Sequence, residues 1–544
     1  MKKKILFCSE ASYLNTGYAT YSREILRRLH ASGKYEIAEF ASYGKDGDPR
    51  IASIPWRFYP NTPADDDREG HRIYGEEPVN QFGAWRFDAV ALDFKPDIVC
   101  DIRDFWMIEH QQKSTFRDFF SWVIMPTVDA APQNEQWIDT FASADYVLNY
   151  SDWGYETLVK ESNNRINCVG SACPSADMAY QPIEDKQKHR ESLGFSSDIK
   201  IIGTVMRNQR RKLFPDLFEA FAKFLEKPNS EKTYLYCHTS FPDLGWDLPK
   251  IINRYGLSSK VLMTYVCPRC KHAFPSFFQD AFAKCTHCGF NDAVPANVQH
   301  GVSYEFLSSI MNTFDLYVQY ANSEGFGLPQ VEAAGCGIPV ASIDYSAMSS
   351  VVRKLQGYPI PLKSTYIELE TGCERAVPDN DAAAQIFSDF FGMSSEERDA
   401  KSKKTRDLFE KHYQWDKTCK KWESVFDAIE AKPHSTTWES ASRIFHPLDR
   451  VPANMSNREY ARWLIINVLG MPSKLDSYME SRLIRDLNYG VYIEGTGNEY
   501  FNEDSWKSVK PQYAEFDRNT AYQMLYEMRE KFNQWESRRL QNVR

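Results

Sequence analysis

The sequence predicts an α/β protein of two doubly wound parallel-sheet domains facing each other across a cleft, with a four-cysteine insertion in the second domain and a helical C-terminal extension. Three observations predict it. The chain opens on "KKKILFCSE", the turn-rich "ASYLNTGYAT" and "YSREILRRLHASG": a short apolar run, a glycine loop, and a helix-spaced stretch closed by glycine. The same alternation starts again at "DIKIIGTVMRNQRRKLFPDLFEAFAKFLEK". The length, 544 residues, exceeds what one ordinary core holds.

Taken in order, residues 1–180 form the first Rossmann-like domain. After the opening strand and helix, "PDIVCDI", "WVIMPTVD" and "ADYVLNYS" are short apolar runs, as in a parallel sheet covered on both faces. The polar, proline-bearing stretch from "YGKDGDPR" to "YGEEP" reads as a long loop or an excursion over a domain face, with solvated acids. Residues 185–395 form the second domain, with "TYLYCHTS", "KVLMTYV", "FDLYVQYA" and "IPVASI" as further strands. Residues 396–544 begin with charged, exposed helices and continue aromatic and helical, without a nameable motif.

Composition narrows the class. Hydrophobic residues at 42%, charged at 26% and aromatic at 14% describe a folding, globular chain. A formal charge of -9 supplies no global attraction to nucleic acid or anionic lipid. The basic start "MKKKILFCSE" loses its apolar character at Ser9 and Glu10, too soon for a secretory core, and no apolar run is long enough to cross a bilayer. Of twelve cysteines eight are scattered and four are clustered, which suits reduced thiols with one metal site and a cytoplasmic location.

Ligands of open parallel sheets bind beyond the carboxyl ends of the strands, where helix N-termini present free N–H groups. Gly17 stands there in the first domain; its plainer role is a turn. In the second, Arg207, Arg210, Arg211 and Lys212 lie between strand and helix, where they form either a diphosphate grip or an exposed basic turn. After "FDLYVQYA", "NSEGFGLPQVEAAGCGIPV" sets Glu324 at the head of a glycine loop containing Phe326 and Gly327, with Glu332 in the first turns of the following helix. A helix-capping carboxylate explains one of these glutamates, not the whole string.

The E-x7-E arrangement of "EGFGLPQVE", followed by "AAGCGIPV", resembles the signature of retaining GT-B glycosyltransferases, specifically glycosyltransferase family 4. "NTGYATYSREIL" is similar to that family's first glycine loop and helix, Arg207 and Lys212 to its Arg and Lys pair, and "YQWDKTCKKWESVF" to its closing helix, so the resemblance covers roughly residues 1–430. It implies that Glu332 binds the ribose of a nucleotide-sugar donor and Glu324 the hydroxyls of the transferred sugar. Arg207 and Lys212 would grip the diphosphate, with Gly17 and the amides of Phe326 and Gly327 lining the pocket. Negative charge gathering on the leaving diphosphate would be stabilised by these cations, without a catalytic metal. Where relatives carry an acceptor-side histidine this chain has "MPTVDAAPQ", making Asp129 the nearest candidate for the acceptor hydroxyl; a loop-capping role is the alternative. His238, after a strand of the second domain, either faces the donor or is a satisfied, partly buried histidine, the plainer reading; Asp65 to Asp67 mimic a metal-binding motif of the other glycosyltransferase fold, but their loop context reads as a solvated run.

"CPRCKHAFPSFFQDAFAKCTHCGF" places Cys267, Cys270, Cys285 and Cys288 as C-x2-C-x14-C-x2-C, the pattern of a structural zinc ribbon inserted over residues 266–299. Four protein ligands leave no open position for catalysis. Lys271, His272, Lys284 and His287, with Phe274, Phe277 and Phe278, suit contact with nucleic acid or protein, or in the case of the phenylalanines a small ribbon core. The acceptor stays open between a hydroxymethylated base in phage-type DNA and a polysaccharide, glycolipid or protein. The competing class is a noncatalytic scaffold that recruits nucleic acid or protein.

Overall fold

A computed structural model of the protein describes residues 2–114, 116–297, 299–432 and 437–438. The opening apolar run becomes β1 (Lys3–Glu10), whose central residues Ile5 to Cys8 are fully buried, as a strand covered on both faces requires. β2 (Tyr35–Lys45), β3 (Arg57–Thr62), β4 (Ile98–Asp101), β5 (Ser121–Ile124), β6 (Tyr146–Asn149) and β7 (Cys168–Ser171) complete a seven-stranded sheet in the order β3-β2-β1-β4-β5-β6-β7. Every neighbouring pair is parallel.

The second sheet comprises β8 (Lys200–Val205), β9 (Thr233–His238), β10 (Val261–Val266), β11 (Ala273–Phe277), β12 (Val294–Pro295), β13 (Leu316–Gln319), β14 (Val340–Ile343) and β15 (Tyr358–Ile360). Its order is β11-β10-β9-β8-β13-β14-β15, with β12 also paired to β10. All five strand runs read from sequence for this domain are present. β16 (Leu362–Ile367) and β17 (Glu374–Pro378) form a separate antiparallel hairpin.

Two stretches hold strands that the sequence reading did not assign. The stretch expected as a long loop or an excursion over a domain face holds the turn Pro49–Ser53, the edge strand β3 and the helix Arg68–Glu76. Pro60 within β3 is tolerated because β3 pairs on one side only, and a proline lacks the N–H a central strand needs. The cysteine insertion is built into the second sheet. β11 pairs antiparallel with β10 from Leu262 to Val266, so the insertion supplies the sheet's edge strand and covers an otherwise open edge.

Beyond the second sheet, helices Ser395–His412 and Trp415–Ala428 follow. The rest of the helical extension read from sequence lies outside the described residues. The helix Trp415–Ala428 packs back on the first domain. Trp422, fully buried, donates its indole N–H to Tyr21 Oη at 2.8 Å, and Tyr21 donates in turn to Ala172 O at 2.8 Å. Trp415 Nε1 donates to Ala176 O at 3.0 Å, and Arg28 pairs with Asp416 at 2.7 Å. Trp422→Ala should therefore cost about 3–5 kcal/mol of stability, read by denaturant unfolding. Trp422→Phe should lose far less, since it keeps the packing and forfeits one hydrogen bond worth about 1 kcal/mol.

Candidate functional site

The carboxyl ends of the two sheets face a cavity of about 530 Å³ between the domains. From the first domain, β1 ends at Glu10, and Thr16 then caps the helix Gly17–Ser32 by accepting from Ala19 N at 3.2 Å. Gly17 begins that helix and lines the cavity; a Cβ there would meet nothing within 4 Å, so its wall is open. Tyr18 Oη donates to Asp104 Oδ1 at 2.7 Å and lies 2.7 Å from Thr127 Oγ1, tying the first helix to two cavity-lining loops. Burial pushes the Asp104 carboxyl above the usual carboxylate range.

From the second domain comes the loop after β13. Gly325 is required there: a Cβ would sit 2.4 Å from Thr127 Cγ2 of the opposite domain. Gly327, at φ +84°, lies in the left-handed region that favours glycine and precedes the helix Leu328–Gly335. Phe326 and Gly327 line the cavity.

Glu324 is the most heavily engaged acid of the site. Its Oε1 accepts from Lys212 Nζ and, at 3.0 Å, from Gln319 Nε2, while Oε2 accepts from Arg211 Nη1 at 2.7 Å. Ser346 Oγ accepts from the Glu324 N–H at 3.0 Å. The carboxylate and the Lys212 ammonium are both buried. Burial, with the Arg211 guanidinium alongside, weakens the hold of Lys212 on its proton.

The other expected residues divide. Asp129 lines the cavity, accepting from Ser323 Oγ at 3.1 Å and Arg375 Nη1 at 3.0 Å. Glu332 is buried in the helix behind the loop, where burial pushes its carboxyl up to about 8. Arg207 points elsewhere: its guanidinium pairs with Asp243 at 3.0 Å and does not line the cavity, while Arg211 does. His238 Nδ1 lies 2.9 Å from Thr264 Oγ1, and burial holds the ring down to about 4, hence neutral at pH 7. Of the three consecutive acids, Asp65 pairs with Lys45 and Asp67 caps the helix Arg68–Glu76; none lines the cavity.

Several lining residues carried no sequence signal. Arg375, on β17, bonds Asp129 and Ser323 and pairs with Glu368 at 2.6 Å. Next to it Glu374 N donates to Ala131 O at 2.8 Å, so the hairpin bridges the two domains. Trp106, Trp137 and Tyr18 line the first-domain side.

Away from the cavity, the Sγ atoms of Cys267, Cys270, Cys285 and Cys288 lie within 4.8 Å of one another, with Cys267–Cys288 at 3.6 Å and Cys270–Cys285 at 3.7 Å. Four thiolates about 2.3 Å from a tetrahedral zinc stand about 3.8 Å apart, so the group fits a metal ion. Each knuckle closes on its own backbone: Lys271 N donates to Cys267 O at 2.9 Å and Gly289 N to Cys285 O at 3.0 Å. Phe274 is buried against Tyr265, whereas Phe277 is half-exposed. No helix among the described residues is long and apolar enough to cross a membrane.

The chain is similar to several known proteins. A family model described as glycosyl transferases group 1 matches residues 286–386, which include Glu324 and Glu332. The UDP-N-acetylglucosamine–peptide N-acetylglucosaminyltransferase GtfA subunit of Streptococcus agalactiae is 36% identical over 62 residues, 11% of this chain and 12% of that one. The corresponding Streptococcus gordonii protein is 36% identical over 64 residues, 11% and 13% of the two chains. The chain thus aligns with only about an eighth of the length of these curated relatives. Among solved structures, sucrose-phosphate synthase from Thermosynechococcus elongatus superposes with a TM-score of 0.56 at 16% identity, over 78% of this chain and 98% of that one. Anabaena HepE in complex with UDP and glucose gives 0.53 at 14% identity, over 78% and 100%. The two Rossmann-like domains therefore share the GT-B fold of these glycosyltransferases.

Proposed function

We propose that the protein is a glycosyltransferase that moves a sugar from a nucleotide-sugar donor to an acceptor hydroxyl with retention of anomeric configuration. The observation that carries this reading is the buried Glu324 carboxylate, held by Lys212 and Arg211 at the head of a glycine loop in the interdomain cavity. A noncatalytic scaffold has no use for a desolvated acid at a shared cavity, held by Arg211 in the cavity wall and by the buried Lys212 behind it. The pairing also supplies the chemistry. When the donor diphosphate takes up Arg211 and Lys212, Glu324 is released to accept hydrogen bonds from the transferred sugar. As the anomeric C–O bond breaks, charge building on the diphosphate meets preorganised cations in a water-poor site. Arg207 joins this grip on exchanging Asp243 for phosphate; the amides of Phe326 and Gly327 and the open wall at Gly17 bound the same donor. Asp129 faces the acceptor. The four cysteines hold a structural zinc with no open coordination position, and all twelve thiols stay unpaired, as suits the cytoplasm.

Glu332 gives the donor half a pH signature. Its carboxyl, raised to about 8, is mostly protonated at pH 7 in the free protein. The folded carboxyl holds its proton more tightly than the unfolded one, so its contribution to stability is full below the unfolded value of 4.5 and is lost as pH rises toward about 8. Ribose hydroxyls that donate to Glu332 favour the ionised form. Affinity for UDP-glucose, the first donor to be tried by calorimetry, should therefore rise between pH 6 and 8 by up to about tenfold per unit. In Glu332→Gln the profile should be flat and binding weaker. A wild-type affinity independent of pH would remove Glu332 from the ribose, and no binding or hydrolysis of any nucleotide-sugar would overturn the enzyme reading.

A further inference from the structure

The cavity wall of the first domain has a chemical character of its own. Glu10, Asp104 and Asp129 present carboxylates, and no lysine or arginine of that domain lines the cavity among the described residues. The two arginines that do line it belong to the other domain, and both are matched: Arg211 by Glu324, and Arg375 by Asp129 and Glu368. The wider domain is acidic in the same sense. Residues 1–180 carry 27 acidic against 19 basic side chains, so nearly all of the formal charge of -9 resides there. Beside the carboxylates, Trp106 leaves 55% of its surface in water although it lines the cavity. Phe105, which also lines the cavity, packs on Trp137 with ring centroids 6.0 Å apart and adds aromatic surface to the same wall.

An indole that lines a cavity and stays half open to water offers a flat apolar face on which the apolar face of a ligand can stack. Carboxylates on the same wall accept hydrogen bonds from hydroxyls, and a phosphate brought against them meets repulsion, since both arginines lining the cavity are already matched by carboxylates. We propose that the acceptor is a neutral, hydroxyl-rich sugar, seated with its C–H face on Trp106 and its hydroxyls toward Asp104 and Asp129. Aromatic rings also stack on nucleobases, but a nucleic-acid acceptor brings a phosphate backbone and calls for the basic footprint this domain lacks. The inference rests on the glycosyltransferase reading and narrows its acceptor.

The test uses the full-length chain, with UDP-glucose hydrolysis and binding measured first on the wild type. Transfer is then scored to neutral disaccharides such as maltose and cellobiose, to glucose 6-phosphate, to duplex DNA containing 5-hydroxymethylcytosine, and to a serine-rich peptide. The expected result is transfer to a neutral sugar at least tenfold faster than to the phosphorylated sugar, the duplex or the peptide. Trp106→Ala should raise the KM for that sugar at least tenfold with kcat changed less than threefold, and Trp106→Phe should restore most of the KM. Preferred transfer to the phosphorylated sugar, the DNA or the peptide overturns the proposal, as do transfer to none of the neutral sugars and a Trp106→Ala variant with unchanged KM. A wild type that binds no donor is a failure of the underlying reading instead, which this order of measurement separates.

Discussion

Glu324→Ala is expected to lower kcat for transfer by about 10³-fold, the scale of losing one preorganised electrostatic element of a transition-state site. The same substitution should destabilise the fold by about 3–5 kcal/mol, because it removes one partner of a buried ion pair and leaves the Lys212 ammonium buried without a counter-charge. Arg211 does not share this penalty; its side chain is 44% exposed and can turn to water. The two effects are separable. Lys212→Met in the Glu324→Leu background replaces the pair by apolar groups of similar volume, which for buried pairs is often neutral or stabilising. That double variant should recover most of the stability measured by denaturant unfolding and none of the activity. Activity returning with stability would make Glu324 a structural residue. Glu324→Gln refines the point: the amide keeps the size and the contact with Gln319 but cannot neutralise Lys212, so it should fall near the alanine variant in kcat.

What the sequence disclosed follows from what kind of interaction each element depends on. β1, β4, β5 and β6 of the first domain, and β8, β10, β13 and β14 of the second, are covered on both faces. Their apolar runs are therefore continuous and visible without neighbours. β16 escaped because its residues from Lys363 to Ile367 are exposed and carry no burial pattern. β3 escaped because its proline punctuates the run. The same distinction holds in the site. Glu324 and Glu332 sit at a fixed spacing along one loop and helix, so a local pattern reveals them. Arg375 is a lone arginine whose partner Asp129 lies 246 positions away in the other domain, and Gly325 owes its identity to Thr127 across the cleft. No window of sequence contains either relation. Within "RNQRRK" the residue types were legible but their directions were not, since loop side chains follow no period. Arg211 faces the cavity while Arg207 meets Asp243, a residue sequence spacing did not connect to it.

Metal removal should act at a distance from the chemistry. If the four thiolates hold one zinc per chain, metal analysis of the reduced protein should give one equivalent, and Cys285→Ser should abolish it. The consequence should not stay within the knuckles. β11 begins six residues after Cys267 and forms the sheet edge against β10, so loosening the metal site unpairs backbone groups of Leu262 to Val266 from one side. Zinc binding supplies folding free energy to small ribbons outright, about 10–16 kcal/mol in isolated peptides; here Phe274 and the buried sulfurs of Cys267 and Cys285 also join the domain core, so only part of that is lost. Chelation should lower the Tm and open residues 267–297 to protease, with the first domain still protected. Four thiols must give up protons to bind the metal, so its retention should fall steeply with acidification, losing several powers of ten in affinity per pH unit at most. None of the cysteines lines the cavity, and donor affinity below the lowered Tm should therefore survive chelation. A donor affinity that vanished with the metal would show that the ribbon holds the second sheet's binding loops in place, and an unchanged Tm would show that the cysteines bind no structural metal.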